Sequence, residues 1–277
     1  MKPGCCMRRK ALYIIYKRIR PAFGLPLGFI LMYGFFVNSI SLQLILAGIV
    51  FVLIEIYAGL YNDYWDYDED VKNKRKDKLT TSGLLTLERV KYLAFSLAGA
   101  AIILAAFTNT FVLFVALYAV IMFTFYSHPK FKLKGRIWGY LEVSTIFFFI
   151  PIALNTLLLP EFYPPTLIFS AYCFLQFAYI LFQKDSTDPE DKKNIFLTHG
   201  WEKSTIATSV IGVLASLSLL IVCLFKPVLL LVWFFNAFTK FSNLNSIRNK
   251  TITRTLRSRL ILFEFLTPYL FIGVNFL

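Results

Sequence analysis

Residues 40–70, ISLQLILAGIVFVLIEIYAGLYNDYWDYDED, decide the fold class of this 277-residue chain. The first two thirds of this stretch form an apolar run that is long enough to cross a hydrocarbon core of about 30 Å as a helix. The last third is an acidic tract. All eight aspartates of the chain lie either in this tract, up to Asp77, or in a second tract at residues 185–191. The pattern predicts a membrane helix that ends in a charged site at the membrane surface.

The composition extends this reading to the whole chain. Hydrophobic residues make up 57% of the sequence and aromatic residues 18%, and the mean hydropathy is +0.63, well outside the range of a soluble domain. We therefore expect an all-α integral membrane protein. Nine apolar runs are candidates for membrane-spanning helices. They cover residues 21–37, 40–60, 90–106, 111–125, 137–159, 167–182, 205–224, 227–241 and 260–277.

The basic residues indicate an orientation in the membrane. Lysine and arginine concentrate in short loops on the cytoplasmic side of membrane proteins. With nine spans and a cytoplasmic N-terminus, 28 of the 29 basic residues lie inside, and only Lys226 lies outside. We therefore expect both acidic tracts at the cytoplasmic face. The net charge of +13 is explained by contact with anionic membrane lipids and requires no nucleic-acid partner.

The first acidic tract has the spacing of a metal site. Asn62, Asp66 and Asp70 are four residues apart, so a continuing helix would align them on one face, with Asp63 beside them. Two carboxylates about 6 Å apart repel by roughly 3 kcal/mol at an effective dielectric near 20, so the stripe favours bound cations. Oxygen ligands without histidine or cysteine favour Mg²⁺, which usually shares such ligands with a phosphate. The tract therefore predicts a phosphorylated ligand.

A second acidic tract follows the sixth span in the same way, with Asp185, Asp188 and Asp191. The repeated order of four spans, with an acidic loop after the second, suggests an internal repeat. We expect a single membrane domain over residues 1–277. It comprises a basic arm at 1–20, a first four-helix half at 21–135, a second at 136–259, and a ninth helix at 260–277. The alternative is that each tract is simply a solvated loop.

The run Asn62-Asp63-x-x-Asp66-x-x-x-Asp70 at the end of a second helix resembles the signature of the UbiA-type intramembrane prenyltransferases. The resemblance implies a nine-transmembrane-helix bundle with a central cavity that opens to the cytoplasmic side. It also implies two Mg²⁺ ions, one held by Asn62, Asp66 and Asp70, with Asp63 nearby, and the other by Asp185, Asp188 and Asp191. The implied reaction transfers a prenyl group from an allylic diphosphate to a lipophilic acceptor, with Asn62, Asp66, Asp70 and Asp185 as catalytic residues.

Other residues receive roles from the same resemblance. The basic candidates for binding the diphosphate are Arg20, Lys78, Lys132 and Arg136. Tyrosine rings can stabilise an allylic cation, and the candidates to line its site are Tyr57, Tyr61, Tyr64 and Tyr126. Ionisable residues within membrane spans are functional candidates by default, and these are Glu55, Glu142 and Glu264.

The chain departs from the family pattern at three places. Lys78-Leu79 stands where many members have Arg-Pro, the second acidic motif is one residue shorter than usual, and Gly139-Tyr140 replaces a common Gly-Asn. The acceptor stays open between a quinone precursor ring, a glycerol-phosphate lipid and a carotenoid or polyisoprenoid. The alternatives to an enzyme are a cation-coupled membrane transporter and a catalytically inactive member of the family.

Overall fold

The computed structural model describes Ile15 and residues 26–76, 78–131, 133–187 and 194–253. Within these residues every regular element is a helix. Some predicted features lie outside the described residues. They are Arg20, Lys132, Asp188, Asp191, Glu264 and the ninth span at residues 260–277.

Ten α-helices follow one another in the described part of the chain. They are α1 (Pro26–Phe36), α2 (Leu42–Trp65), α3 (Tyr67–Lys72), α4 (Leu87–Ala106), α5 (Thr110–Ser127), α6 (Ile137–Leu158), α7 (Pro165–Asp185), α8 (Ile195–Thr198), α9 (Trp201–Phe225) and α10 (Leu230–Arg248), with a 3₁₀ turn at Pro227–Leu229 between the last two.

Six of these helices, α2, α4, α5, α6, α7 and α9, are long and apolar enough to cross a membrane. They coincide with the second to seventh predicted spans, and the prediction of an all-α integral membrane protein is confirmed. The short apolar helix α1 covers only part of the first predicted span. The total of nine spans stays a prediction, because the last of them lies outside the described residues.

Helix α10 differs from the predicted eighth span. The apolar run suggested an end at residue 241, but the helix continues to Arg248. Phe238 and Phe241 are exposed, whereas Lys240 and Asn243 are buried. The predicted end of this span at residue 241 is therefore wrong, because the helix has a polar inner face that a count of apolar residues does not reveal.

Side-chain caps explain several of the helix boundaries. The Asn109 side chain accepts a hydrogen bond from the backbone N–H of Val112 at 2.7 Å and so begins α5. Thr86 does the same for α4 through the N–H of Arg89 at 3.4 Å. Because only a short turn separates α4 from α5, the two helices run antiparallel and pack against each other.

The helix α4 packs through small side chains. Alanine lets helix backbones approach closely, which is how helices gain contact area in lipid, where the hydrophobic effect between them is weak. Large apolar side chains such as Phe95 and Ile103 instead point outward from α4 and are exposed, as suits a lipid-facing surface. The buried residues of α4 are Val90, Ala94, Ala98, Ala101 and Ala105.

The described chain divides into two compact units. One is centred on residues 46–131 and contains most of α2 together with α3, α4 and α5. The other contains residues 28–45 and the described chain from Leu133 onward. In this second unit, α7 packs against α6 and α9, and α10 packs against α9. The first acidic tract thus belongs to the first unit, and Asp185 belongs to the second.

Candidate active site

The first acidic tract spans a break between two helices. Helix α2 ends at Trp65 and α3 begins at Tyr67, so Asp66 stands at the junction. The backbone nevertheless keeps its four-residue hydrogen bonds: the N–H of Asp66 donates to the carbonyl of Asn62 at 2.9 Å, and that of Asp70 to Asp66 at 2.8 Å. The helix does not continue unbroken as expected, but the register of the motif persists across the junction.

A tight reversal follows α3. The N–H of Lys74 donates to the carbonyl of Val71 at 3.0 Å, and the N–H of Arg75 donates to that of Asp70 at 2.9 Å. Lys74 adopts a left-handed conformation with φ of 52°. Together these features form a Schellman motif, which closes a helix end and turns the chain back. The reversal brings basic residues of the following loop toward the acidic residues.

Lys78 is the main cation at this tract. Its ammonium nitrogen lies 2.6 Å from Oδ1 of Asp63 and 3.9 Å from Oδ2 of Asp70. Lys78 is itself buried, with 8% of its surface exposed, and Asp63, Asp66 and Asp70 are 0%, 6% and 4% exposed. Three carboxylates are thus withdrawn from bulk solvent beside one buried ammonium group. Such charges are retained inside a protein only when they are paired or bind metals.

Two further contacts complete the arrangement. The Asn62 amide donates a hydrogen bond to Oδ2 of Asp66 at 2.9 Å and so orients that carboxylate. The guanidinium of Arg75 lies 3.6 Å from Oδ1 of Asp70. Of the predicted diphosphate ligands that the structure describes, Lys78 therefore lies among the carboxylates, whereas Arg136 is exposed at the start of α6.

Burial raises the pKa of Asp70 above its ordinary value of 3.8. Lys78 and Arg75 act in the opposite direction on this pKa, while the carboxylates of Asp63 and Asp66 raise it further. Since a raised pKa means that the charged carboxylate is disfavoured, burial of Asp70 outweighs the stabilisation that Lys78 and Arg75 give to its charge. An additional cation beside Asp70 would be stabilised.

The donor atoms of this tract fit Mg²⁺, although its site is not preformed. No three carboxylate, imidazole or thiol groups converge as a metal site in the described ranges. Lys78 binds Asp63 and Asn62 binds Asp66, so these oxygens are engaged within the protein. Mg²⁺ takes oxygen ligands, often only one or two carboxylates, and completes its shell with water and substrate phosphates. The tract therefore fits a metal that binds together with a phosphorylated ligand.

The second tract begins at a carboxylate that is already oriented. The hydroxyl of Tyr140 donates to Oδ2 of Asp185 at 2.6 Å, and the backbone N–H of Ile195 donates to the same oxygen at 3.0 Å. The Asn194 amide donates to the backbone carbonyl of Asp185 at 2.5 Å, while its oxygen caps α8 by accepting from Phe196. Asp185 is thus held in place at the end of α7. Asp188 and Asp191 lie outside the described residues.

Glycine at position 139 is required by the local packing. A Cβ atom there would lie 2.1 Å from the carbonyl oxygen of Leu133, which no side chain tolerates. This close approach fixes the start of α6, where Tyr140 follows. Gly139-Tyr140 departs from the family pattern, but the sequence does not predict that Tyr140 contacts Asp185. No local signal marks such a tyrosine, because its partner is 45 residues away.

The predicted tyrosines differ in their surroundings. Tyr57 is fully buried, and its hydroxyl shares a hydrogen bond of 2.6 Å with that of Thr124. Its ring lies 5.5 Å from that of Tyr61, which also contacts Phe95 at 5.8 Å. Tyr126 is half-buried. Tyr57 and Tyr61 thus pack through these contacts on α2, the helix that leads into the acidic tract.

The other predicted residues that the structure describes are Glu55, Glu142 and Tyr64. Glu55 is half-buried on α2, and Glu142 is exposed on α6. Lys91 lies over the half-buried ring of Tyr64, 5.5 Å from its centroid. The part of Glu55 and Glu142 in acceptor binding stays a prediction.

Solved structures with a similar fold share less than a fifth of their sequence with this chain in the three cases that follow. A UbiA homologue from Aeropyrum pernix K1 matches with a TM-score of 0.72 at 16% identity, over 92% of this chain and 98% of its own. A homologue from Archaeoglobus fulgidus bound to DMAPP and Mg²⁺ matches with a TM-score of 0.67 at 15% identity, over 94% and 99%. A digeranylgeranylglyceryl phosphate synthase matches with a TM-score of 0.63 at 19% identity, over 96% and 99%.

These structures establish the fold, and the family follows from the sequence itself. Among curated proteins, no sequence matches the chain. The model of the UbiA prenyltransferase family matches residues 23–262, most of the chain. The predicted family and the predicted enzyme class, prenyltransferase, are thereby confirmed. This integral membrane protein belongs to the UbiA prenyltransferase family.

Proposed function

We propose that this protein transfers a prenyl group from an allylic prenyl diphosphate to a lipophilic acceptor, in a reaction that depends on Mg²⁺ and releases diphosphate. The observation that carries the proposal is the buried cluster of Asp63, Asp66 and Asp70, in which the ammonium group of Lys78 contacts Asp63 and Asp70. Homologues of the same fold from Archaeoglobus fulgidus bind DMAPP or GPP together with Mg²⁺, which supports both the donor and the metal.

In this proposal each acidic tract holds one Mg²⁺ ion. Asn62, Asp66 and Asp70 hold the first, with Asp63 close by. Asp185, Asp188 and Asp191 hold the second. When bound, Mg²⁺ neutralises the negative charge that develops on the departing diphosphate. Asn62 orients the carboxylate of Asp66.

The hydroxyl of Tyr140 orients the carboxylate of Asp185 in the second tract. Lys78 serves as a cation for the diphosphate, because its ammonium group already lies between two carboxylates that a metal would bind. We further propose Arg20, Lys132 and Arg136 as diphosphate ligands.

The allylic carbon becomes positively charged as its bond to the diphosphate breaks, and aromatic faces stabilise such a charge. We propose that Tyr57, Tyr61 and Tyr126 line this part of the site. The acceptor then attacks the allylic carbon. Its class is a quinone precursor ring, a glycerol-phosphate lipid, or a carotenoid or polyisoprenoid, and the fold shared with a digeranylgeranylglyceryl phosphate synthase is consistent with the second of these.

The topology in this proposal is a single membrane domain of nine helices with a cytoplasmic N-terminus. The site opens to the cytoplasmic face. The basic residues support this orientation, since all but Lys226 and the buried Lys240 fall on one side of a nine-span arrangement.

Purified protein supplied with prenyl diphosphates of several chain lengths, Mg²⁺ and a membrane lipid extract provides the test. We expect Mg²⁺-dependent release of pyrophosphate together with a prenylated lipid that mass spectrometry identifies. Asp66→Asn should abolish both. Asp68→Asn is the matched control, because Asp68 is an exposed carboxylate on α3 two residues away. Equal turnover by the two variants, or turnover that survives chelation of Mg²⁺, would contradict the proposal.

A further inference from the structure

Helix α10 carries a buried polar stripe that the proposed reaction does not use. Thr239 and Lys240 follow Asn236 by three and four residues, and Asn243 follows them by four and three, so all four lie on one face of the helix. All four are buried, and Lys240 is only 2% exposed. On the other side of the helix, Phe234, Phe238 and Phe241 are exposed. Polar residues that a membrane helix turns inward, and charged ones above all, mark functional sites by default.

A second polar stripe faces this one from α7. The ammonium nitrogen of Lys240 lies 6.0 Å from the ring centroid of Tyr172 and 5.6 Å from that of Tyr179. Gln176 and Gln183 fall on the same face of α7 as these tyrosines, and both are buried.

Helix α9 packs against both α7 and α10. At Gly212 of α9, a Cβ atom would lie 3.0 Å from the Tyr179 ring and 3.7 Å from Leu244 of α10. The packing of α9 thus brings the two polar stripes into one cluster.

Two amide side chains of this cluster are buried without hydrogen bonds. Gln183 and Asn243 are both 0% exposed. Neither the amide nitrogen nor the oxygen of either side chain has a hydrogen-bond partner in the described part of the chain. Buried amides left in this state are destabilising, so in a native protein they call for a partner such as a bound water, ion or ligand. Each offers both a donor and an acceptor, so together they match a ligand with hydroxyl, ester or phosphate oxygens.

The depth of Lys240 separates its ammonium group from the expected position of the donor diphosphate. Tyr179, which contacts Lys240, precedes Asp185 by six residues on α7, or about 9 Å along a helix that rises 1.5 Å per residue. Lys240 therefore lies at a level of α7 away from the second acidic tract, within a helix that can span the membrane, and Gln183, two residues before Asp185, lies between the two. A buried ammonium group at this depth suits an anion that enters with a lipophilic molecule.

We propose that Lys240, with Asn243 and Gln183, binds an anionic head group of the prenyl acceptor. This inference rests on the proposed function and narrows its acceptor to a molecule with a phosphate or carboxylate group. A glycerol-phosphate lipid and an aromatic carboxylate share that chemistry. A carotenoid or another neutral polyisoprenoid does not.

Binding without the prenyl donor provides the first test. We would use calorimetry with purified protein and two matched pairs of probes: a dialkylglycerol phosphate with the same lipid lacking its phosphate, and para-hydroxybenzoate with para-hydroxybenzyl alcohol. We expect binding of an anionic probe and loss of binding when its anion is removed; which pair shows this identifies phosphate or carboxylate as the head group. Equal binding of both members in each pair would overturn the proposal, as would binding of none of the four probes.

Variants then assign the effect to the cluster. Lys240→Met should weaken binding of the anionic probe by about tenfold or more, as expected when a charge-assisted hydrogen bond is lost, while Lys240→Arg keeps most of it. Lys203→Met is the control, since Lys203 is exposed on α9. Lys240→Met loses the hydrogen bond from the ammonium group to the Asn236 side chain, but it should fold, because methionine keeps most of the length of the lysine side chain and puts no charge into the protein interior. Binding by Lys240→Met that equals the unchanged protein would refute the assignment.

A third variant distinguishes a ligand site from a purely structural one. Asn243→Leu removes two buried polar atoms that lack partners, so it should raise the unfolding temperature of the ligand-free protein and weaken binding of the anionic probe. A lower unfolding temperature with unchanged binding would instead show a structural role.

Turnover separates this inference from the proposed function. Anion binding without prenyl transfer would contradict the proposed function alone. Prenyl transfer to a neutral acceptor, with Lys240→Met unchanged in the KM for that acceptor, would contradict this inference alone. Lys240→Met should raise the KM for an anionic acceptor and leave the KM for the donor unchanged.

Discussion

The buried pair of Lys78 and Asp63 offers a quantitative test of how the first acidic tract is held together. Their charged atoms are 2.6 Å apart, and at an effective dielectric near 20 this separation corresponds to an attraction of about 6 kcal/mol. The cost of removing both ions from water offsets most of that attraction. Lys78→Met removes the ammonium group 2.6 Å from the buried Asp63 carboxylate, and it also removes a cation 3.9 Å from Asp70. We expect it to reduce the free energy of unfolding by about 3–5 kcal/mol.

A double-mutant cycle isolates the pair. Asp63→Asn should also be strongly destabilising, because it removes the carboxylate 2.6 Å from the buried Lys78 ammonium group, whose contact with Asp70 is longer at 3.9 Å. The double variant removes both charges and should recover most of the loss. The free energy of unfolding can be measured by adding denaturing detergent to protein in mild detergent micelles. Lys76→Met is the control, since Lys76 is exposed in the same loop. Penalties that simply add in the double variant would refute the coupling.

Three further predictions concern the geometry and charge of the two tracts. Tyr140→Phe removes the hydrogen bond to Asp185 and should lower kcat/KM for the donor by about tenfold or more with little effect on folding; an unchanged kcat/KM would show that the contact is dispensable. Gly139→Ala forces a Cβ atom against the Leu133 carbonyl, so a thermal melt should show clear destabilisation, and a melt that matches the unchanged protein would contradict the close approach. The pKa of Asp70 is raised above 3.8, so Asp70 binds its proton more tightly in the folded than in the unfolded state. Loss of this proton therefore lowers the free energy of unfolding as the pH rises from 3.8 through the raised pKa. Mg²⁺ requires the charged carboxylate, so calorimetry across this range should show that the affinity for Mg²⁺ falls as the pH falls through the raised pKa of Asp70. Asp70→Asn should remove this pH dependence of the affinity. An identical pH profile in Asp70→Asn would exclude Asp70 as its source.

The helices themselves were largely predictable. Six apolar runs coincide with helices that can cross a membrane, because length and hydropathy are local properties of the chain. The end of α10 was not predictable in this way. Asn236, Lys240 and Asn243 lower the hydropathy of the second half of that helix, so the predicted apolar span ended at residue 241, before the end of the helix. Only their burial shows that these polar residues belong to an inward-facing stripe rather than to a loop.

The acidic residues could be identified from their spacing in the sequence. The residues that contact them could not. Asn62, Asp66 and Asp70 are four residues apart, and the backbone hydrogen bonds keep that register even though the helix breaks at Asp66. Lys78 was one of four basic candidates of equal standing. The reversal at Lys74 is what brings it between Asp63 and Asp70.

The sequence by itself determined that this is a helical membrane protein of the prenyltransferase type, with carboxylates suited to a hard metal ion. Those conclusions depend on residue types and on spacings of a few residues, which a helix converts directly into positions. Only the tertiary structure decided which distant residues meet. Tyr140 reaches Asp185 across 45 residues, and Lys240 of α10 reaches two rings of α7. Such contacts depend on how each helix is rotated about its axis when it packs against its neighbours, which no local pattern specifies.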